Sequence, residues 1–299
     1  MAAAASPPPP AARGWASLQS DVLWSVFLSL GQREVLRGAG LACAPWWRLA
    51  RDEPALWRRI DLTAPADDEE EDGILCYIIT DKPGWKEMAC AAVDRSAGQC
   101  EAFWGRADDE VLRYLADRAP SLKSLRVTSR CDITSKAFTE LIKKLPLLEE
   151  LELVLKPDAY NDRRERPTWK YCWAELFQSA CGACRHLQCF TVCHADIDVG
   201  MEGCAHRFYR TRRCPKPFSI PIMHGLRSVH LCGDSFTRDM VLSIADNCPG
   251  LESLNISDMG YLRRWNEELQ NKFSRIKDLR LPCYDSDSGE MGIPTHLFD

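Results

Sequence analysis

Six times between Leu122 and Leu281 the chain repeats one apolar spacing, L-x-x-L-x-L, and no other feature restricts its fold so severely. The sets are Leu122, Leu125, Val127; Leu148, Leu151, Leu153; Leu187, Phe190, Val192; Leu226, Val229, Leu231; Leu251, Leu254, Ile256; and Ile276, Leu279, Leu281. Counted from the last residue of each set, the steps are 26, 39, 39, 25 and 25. A second register accompanies the first: Leu115, Leu141, Ala180, Ile244 and Leu269 lie seven positions before the leading residue of five sets. Around these the apolar positions follow helical spacing, as in Val111, Leu112, Leu115, Ala116 and Phe138, Leu141, Ile142, Leu145. One strand and one helix per period cannot bury their apolar faces alone, so the units must stack into a solenoid with a parallel sheet on its inner side.

Three of the steps have the length of a leucine-rich repeat, and the two long ones carry roughly 13 extra residues each. The expected fold class is therefore α/β: a repeat solenoid over 99–282 with insertions near 155–170 and 194–222. The set led by Leu226 would place Ser219 where a helix residue belongs, so its helix is expected to be lost. Phe103, 24 residues before Val127, is expected to end an additional leading repeat. Side chains alternate along a strand, so the residues between the repeated apolar positions should point away from the core on the concave face. One such row is Arg126, Glu152, Thr191, His230, Asn255 and Arg280, mixed in charge and without a nucleophile-base grouping. It suits protein recognition better than catalysis.

Ahead of the repeats, residues 14–62 read as a small helical module. Val22, Leu23, Val26, Phe27 and Leu30 recur at helical spacing after Ser20, which can cap the first N–H groups, and Asp21, which complements the helix dipole. Gly31 ends this helix. Val35, Leu36, Ala39, Ala42, Cys43, Trp46, Trp47 and Ala50 continue the rhythm in a second helix up to Arg51-Asp52-Glu53-Pro54. Leu56, Trp57, Ile60 and Leu62 form a third, short apolar set. So small a unit buries too little surface to offset its chain entropy, which implies a partner or an adjoining domain.

Leu18 through Ile60 resembles an F-box, with Asp21-Val22-Leu23 opening the first helix, Cys43 and Trp46 or Trp47 closing the second, and DEPALWRRI (52–60) as the tail. With the repeats, the order of modules resembles the plant F-box/leucine-rich-repeat family and its Skp-interacting members. The stretches RDEPALWRRIDL (51–62), AAVDRSAG (91–98) and VLRYLADRAPSLKSLRV (111–127) carry the likeness. It implies a non-catalytic substrate-recognition subunit of a Skp-cullin-F-box ubiquitin ligase. The implied adaptor-binding residues are Leu18, Val22, Leu23, Val26, Phe27, Leu30, Val35, Leu36, Ala39, Cys43, Trp46, Trp47, Leu56 and Trp57. The concave row would hold the target protein, and the cullin would be reached through the Skp-family adaptor. Two residues depart from the family pattern. Gln19 replaces the usual proline after the opening leucine, and Pro45 is expected inside the second helix, where it removes a backbone hydrogen bond. The alternative is a repeat scaffold in which the helices merely cap the solenoid and no ligase is recruited.

Composition narrows the remaining choices. A net charge of -5 gives no general attraction to nucleic acid. No run of about 18 apolar residues exists to span a membrane, and MAAAASPPPPAAR (1–13) reads as an Ala/Pro-rich disordered tail rather than a secretion signal. The chain is expected in the nucleus and/or cytoplasm, where its 15 cysteines would mostly be small buried hydrophobes. Cys181, Cys184, Cys189, Cys193, His194, Cys204, His206 and Cys214 raise the question of zinc, but Cys189 and Cys193 flank strand positions already explained by the repeat. No metal or cofactor is expected. The basic, aromatic stretch His206–Arg213 reads as a solvated insertion or a docking site for an acidic segment. The acidic residues of 63–98 make a linker and lead-in segment, and 283–299 an acidic disordered tail. No phosphate loop, triad motif or paired-carboxylate arrangement stands out.

Overall fold

The structure, a computed structural model, describes residues 14–63, 84–129, 133–155, 173–194, 217–232, 236–257 and 266–281. The acidic run Asp67–Asp72, the segment 195–216 with Cys204, His206 and Cys214, and both tails lie outside the described residues. Three helices lead: α1 (Ser20–Leu30), α2 (Gln32–Arg37) and α3 (Ala44–Asp52). Strands and helices then alternate: β1 (Arg59–Asp61), α4 (Trp85–Arg95), β2 (Ala102–Arg106), α5 (Asp109–Arg118), β3 (Ser124–Ser129), α6 (Ser135–Lys143) and β4 (Glu150–Leu155). They continue as α7 (Trp173–Ala183), β5 (Cys189–His194), β6 (Ser228–Cys232), α8 (Arg238–Asn247), β7 (Ser253–Ser257), α9 (Asn266–Lys272) and β8 (Asp278–Arg280). The eight strands form one sheet in chain order, and every neighbouring pair is parallel.

The repeated leucines build the interior. Leu125, Leu151, Phe190, Val229, Leu254 and Leu279 follow one another in register across β3–β8. All of them but Leu279, on the last strand, are at most 1% exposed. Leu115, Leu141, Ala180, Ile244 and Leu269 close the core from the helices at 0–1% exposure. Three helices of the repeats begin at a short polar side chain that serves their free N–H groups: Asp108 accepts from Glu110 and Val111 at the start of α5, Thr134 from Ala137 at α6, and Thr237 from Met240 at α8. No helix lies between β5 and β6 among the described residues; an irregular segment there buries Ile220 and Met223 instead.

Adjacent coils are pinned in the turn before each strand. Glu101, Lys123, Glu149, Gln188, Arg227, Glu252 and Lys277 each donate their N–H to the carbonyl of the equivalent residue one coil earlier, at 2.7–3.0 Å. Their side chains alternate in sign or polarity, so neighbours attract: Arg58 meets Glu101 at 2.7 Å, Gln188 meets Glu149 at 3.1 Å and Lys277 meets Glu252 at 2.9 Å.

Four local expectations are corrected. Ser20 is the first residue of α1 rather than its cap; Gln19 occupies the cap in extended conformation, and the Asp21 carboxylate takes the Val22 N–H at 2.9 Å. The second helix is two helices. The first of them ends at Gly38, whose backbone is not helical, and the chain then folds back over α2 at Gly40, where a Cβ would stand 2.7 Å from the Val35 carbonyl oxygen and only glycine fits. Pro45 consequently falls at the second position of α3, where the N–H has no intrahelical acceptor, and its ring removes no bond. Phe103 aligns with Leu125, not with the last residue of a set; Gly105 aligns with Val127. A glycine hides the pattern there because a Cβ on it would press to 3.2 Å from Leu62 Cβ.

Trp57, Ile60 and Leu62 prove to be the first strand set, with Ile60 paired to Phe103. The tail of the helical module is thus also the first strand of the sheet. One continuous core runs from Leu23 and Phe27 in α1 to Phe273 and Ile276 before β8. Gln32 locks the junction, its amide donating to the Leu56 carbonyl at 3.1 Å and the Arg59 carbonyl at 2.9 Å.

Candidate functional site: two interaction surfaces

The helical module sorts its apolar residues into two groups. Leu23, Phe27, Val35, Trp46, Leu56 and Trp57 are at most 9% exposed. Phe27 and Trp46 meet edge-on at 5.6 Å, and Trp57 donates from Nε1 to the Ala50 carbonyl at 2.8 Å. These six hold the module together and to the sheet, so a partner could reach them only by opening the core. Leu18, Val26, Leu36, Ala39 and Cys43 are half-buried. Val22, Leu30 and Trp47 reach the surface at 45%, 44% and 38%.

Sequence reasoning missed three surface members, Trp15, Leu28 and Leu41, at 73%, 56% and 63% exposure. Leu28 was hidden because it falls between the positions of the buried stripe on α1. Leu41 and Trp15 lie in short 3-10 turns that carry no helical period. Six of the eight large exposed apolar side chains among the described residues therefore belong to 15–47. Large exposed apolar side chains are thus concentrated in the helical module and sparse along the described repeats.

The second surface is the concave sheet. Arg126, Glu152, Thr191, His230, Asn255 and Arg280 occupy one register row, and the row extends backward through Trp104 to Asp61. Neither Asp61 nor Trp104 was anticipated: the set around Trp104 ends at Gly105 instead of an apolar residue, and Asp61 lies in a set that reads as the tail of the helical module. Beside it runs Arg59, Ala102, Ser124, Glu150, Cys189, Ser228, Ser253 and Asp278. Trp104 is oriented by its Nε1 donating to Ser124 Oγ at 3.1 Å, and Arg59 lies 5.6 Å from its ring centroid. Arg126 pairs with Glu152 at 3.3 Å. Between Trp104 and Thr191 the rows enclose a shallow depression of about 150 Å³.

The cysteines that raised the question of zinc part company where they are described. Cys181 and Cys184 point into the core, where burial holds the Cys181 thiol well above the ordinary range and pushes Cys184 up to about 12. Cys184 Sγ donates to the Leu145 carbonyl at 3.3 Å. Cys189 lies on the concave side, its thiol also raised, by burial first and then by Glu150. Protonated thiols facing apolar neighbours are poor metal ligands. Among the described residues no group of three or more His, Cys, Asp or Glu side chains could hold a metal ion.

No protein-family model matches the chain. Curated relatives do. It is 29% identical over 283 residues to putative F-box/LRR-repeat protein 23 of Arabidopsis thaliana, covering 92% of this chain and 54% of that protein. It is 30% identical over 278 residues to putative F-box/LRR-repeat protein 22 of the same plant, covering 90% and 76%. F-box protein SKIP19, again from Arabidopsis thaliana, is 28% identical over 277 residues, covering 91% and 74%. The chain thus spans about half the length of the first relative and about three quarters of the other two. With three helices carrying an apolar surface, an eight-stranded parallel sheet of leucine-rich coils behind them, and this degree of identity along nine tenths of its length, the chain belongs to the plant F-box/leucine-rich-repeat family.

Proposed function

We propose that this protein is the substrate-receptor subunit of a Skp-cullin-F-box ubiquitin ligase, non-catalytic itself, acting in the nucleus and/or cytoplasm. The observation that carries the reading is the concentration of exposed apolar side chains on the F-box helices. Trp15, Val22, Leu28, Leu30, Leu41 and Trp47 offer a Skp-family adaptor a surface to bury, while the solenoid leaves its concave face open for a target protein. The adaptor would bring the cullin and its ubiquitin-charged enzyme, and the rate gain would come from the raised effective concentration of the target.

A second reading, a repeat scaffold capped by the helices, draws support from the shared core at Trp57 and Ile60. Deleting the helices would strip that core under either reading, so the discriminating experiment must leave it intact. Val22→Asp combined with Trp47→Asp places charge only on exposed positions. Co-purification of full-length chain with a Skp-family adaptor and a cullin is expected for the wild type and lost for the double variant, with circular dichroism unchanged. A wild type that captures neither partner sinks the ligase reading and leaves the scaffold.

A further inference from the structure

The residues that line the depression on the concave sheet carry one more negative charge than positive, and the neighbouring Arg59 lies 5.6 Å from the Trp104 ring centroid rather than in an ion pair with a lining carboxylate. Arg126 and Glu152 satisfy one another across β3 and β4 at 3.3 Å. Glu150, two residues before Glu152 and on the same side of β4, is exposed and has no cationic partner among the described residues. The three charges lining the depression therefore sum to one negative. Trp104 forms one wall, with its indole orientation fixed by the bond to Ser124. The opposite wall is Cys189 and Thr191, and Leu125 and Leu151 lie beneath. The raised Cys189 thiol stays neutral and adds no competing charge.

An aromatic face beside an uncompensated carboxylate is the arrangement that attracts an organic cation. The ring quadrupole and the carboxylate both favour positive charge, while a flat wall accepts a guanidinium or an alkyl stem by stacking. We propose that this depression is a subsite for a basic side chain, arginine or lysine, of the bound target protein, with Glu150 as its charge partner and Trp104 as its stacking wall. The inference deepens the substrate-receptor reading by naming the chemistry the target must present: a cation over β2–β4.

The test uses the full-length chain labelled with nitrogen-15. The indole N–H signal of Trp104 is assigned by its disappearance in Trp104→Phe, and N-acetyl-argininamide is titrated against it. A saturable shift is expected, absent with the neutral isostere N-acetyl-citrullinamide, and weakened about two- to fivefold in Glu150→Gln, the worth of one exposed ion pair. N-acetyl-lysinamide should shift the same signal. No saturable shift, an equal response to citrullinamide, or an unchanged affinity in Glu150→Gln overturns the proposal; the remaining indole signals report that the variant is folded. Adaptor capture is scored separately. Arginine binding without adaptor capture keeps this subsite and removes the ligase reading, and the reverse removes the subsite alone.

Discussion

Trp57 stands where the F-box ends and the sheet begins, and replacing it tests whether the two are one folding unit. The side chain is wholly buried. Its Nε1 satisfies the Ala50 carbonyl at the end of α3, and the Arg95 guanidinium, from the last turn of α4, lies 5.1 Å from its ring centroid. Trp57→Ala removes the ring from a closed core, a change worth about 3–5 kcal/mol. It also leaves the Ala50 carbonyl without its donor, at about 1 kcal/mol or more, which places the expected loss toward the upper end. At roughly 2–4 °C per kcal/mol for a protein of this size, the melting temperature should fall by about 10 °C or more. Trp57→Phe keeps most of the packing and should lose only about 1–2 kcal/mol, chiefly the hydrogen bond. Urea unfolding followed by circular dichroism gives the magnitude. Hydrogen exchange of peptides from α1 and from β4 shows whether both lose protection together. If β4 keeps its wild-type protection while α1 opens, or if Trp57→Ala costs less than about 1 kcal/mol, the shared core is not cooperative and the argument fails.

Three further outcomes follow from particular contacts. Pro45→Ala should change stability by less than about 1 kcal/mol, because the proline sits at the second position of α3, whereas an interior proline would have cost about 3 kcal/mol; chemical denaturation of both proteins decides it. At Asp108, burial raises the carboxyl, but the Lys86 ammonium at 2.5 Å and the N–H groups of Val111 and Glu110 outweigh it and leave the group below its ordinary 3.8. A depressed carboxyl stabilises above its unfolded value and loses that contribution as pH falls through the folded one. Asp108→Asn should therefore flatten the stability profile below about pH 4 while keeping the helix cap, as melting curves from pH 2.5 to 7 would show. Burial pushes Cys100, Cys184 and Cys248 up to about 12. At pH 8 iodoacetamide should leave them unmodified in the native chain and alkylate them in denaturant; peptide mass spectrometry after digestion reads the difference, and native alkylation at Cys184 would contradict its place in the core.

The solenoid was legible because burial imposes a spacing that substitution cannot easily blur. Each strand needs two inward residues two apart and a third in the preceding turn, and sets from Leu122 to Ile276 meet that demand with large aliphatic or aromatic side chains. Legibility failed where the same geometry is met by something small. Gly105 makes room for Leu62, so the second coil shows no final apolar residue, and Trp104 beside it went unnoticed. The first coil was visible as Trp57, Ile60 and Leu62 but read as the module's tail, since nothing local distinguishes the last turn of one unit from the first strand of the next. Among the F-box residues, periodicity identified apolar positions without saying which face they occupy. Leu23 and Val22 are adjacent and both apolar, yet one is 3% exposed and the other 45%. Only inclusion in the shared core separates them.

That packing also governs how the proposed adaptor would work. If the F-box were joined to the repeats by a flexible tether alone, the distance between adaptor and target would be an average over many arrangements, and effective concentration would fall as the tether lengthened. Here α2 is bonded through Gln32 to the carbonyls of Leu56 and of Arg59, the first residue of β1, and Trp57 is buried between α3 and the coil that follows. The apolar helical surface and the concave depression then belong to one body, and a target held at Trp104 and Glu150 would be presented in a fixed direction relative to the adaptor. Loosening the junction without unfolding it, as Gln32→Ala would by removing two hydrogen bonds worth about 1 kcal/mol each, should leave adaptor and target affinities unchanged yet lower the rate of ubiquitin transfer. Equal transfer rates for Gln32→Ala and wild type would show that orientation contributes nothing beyond tethering.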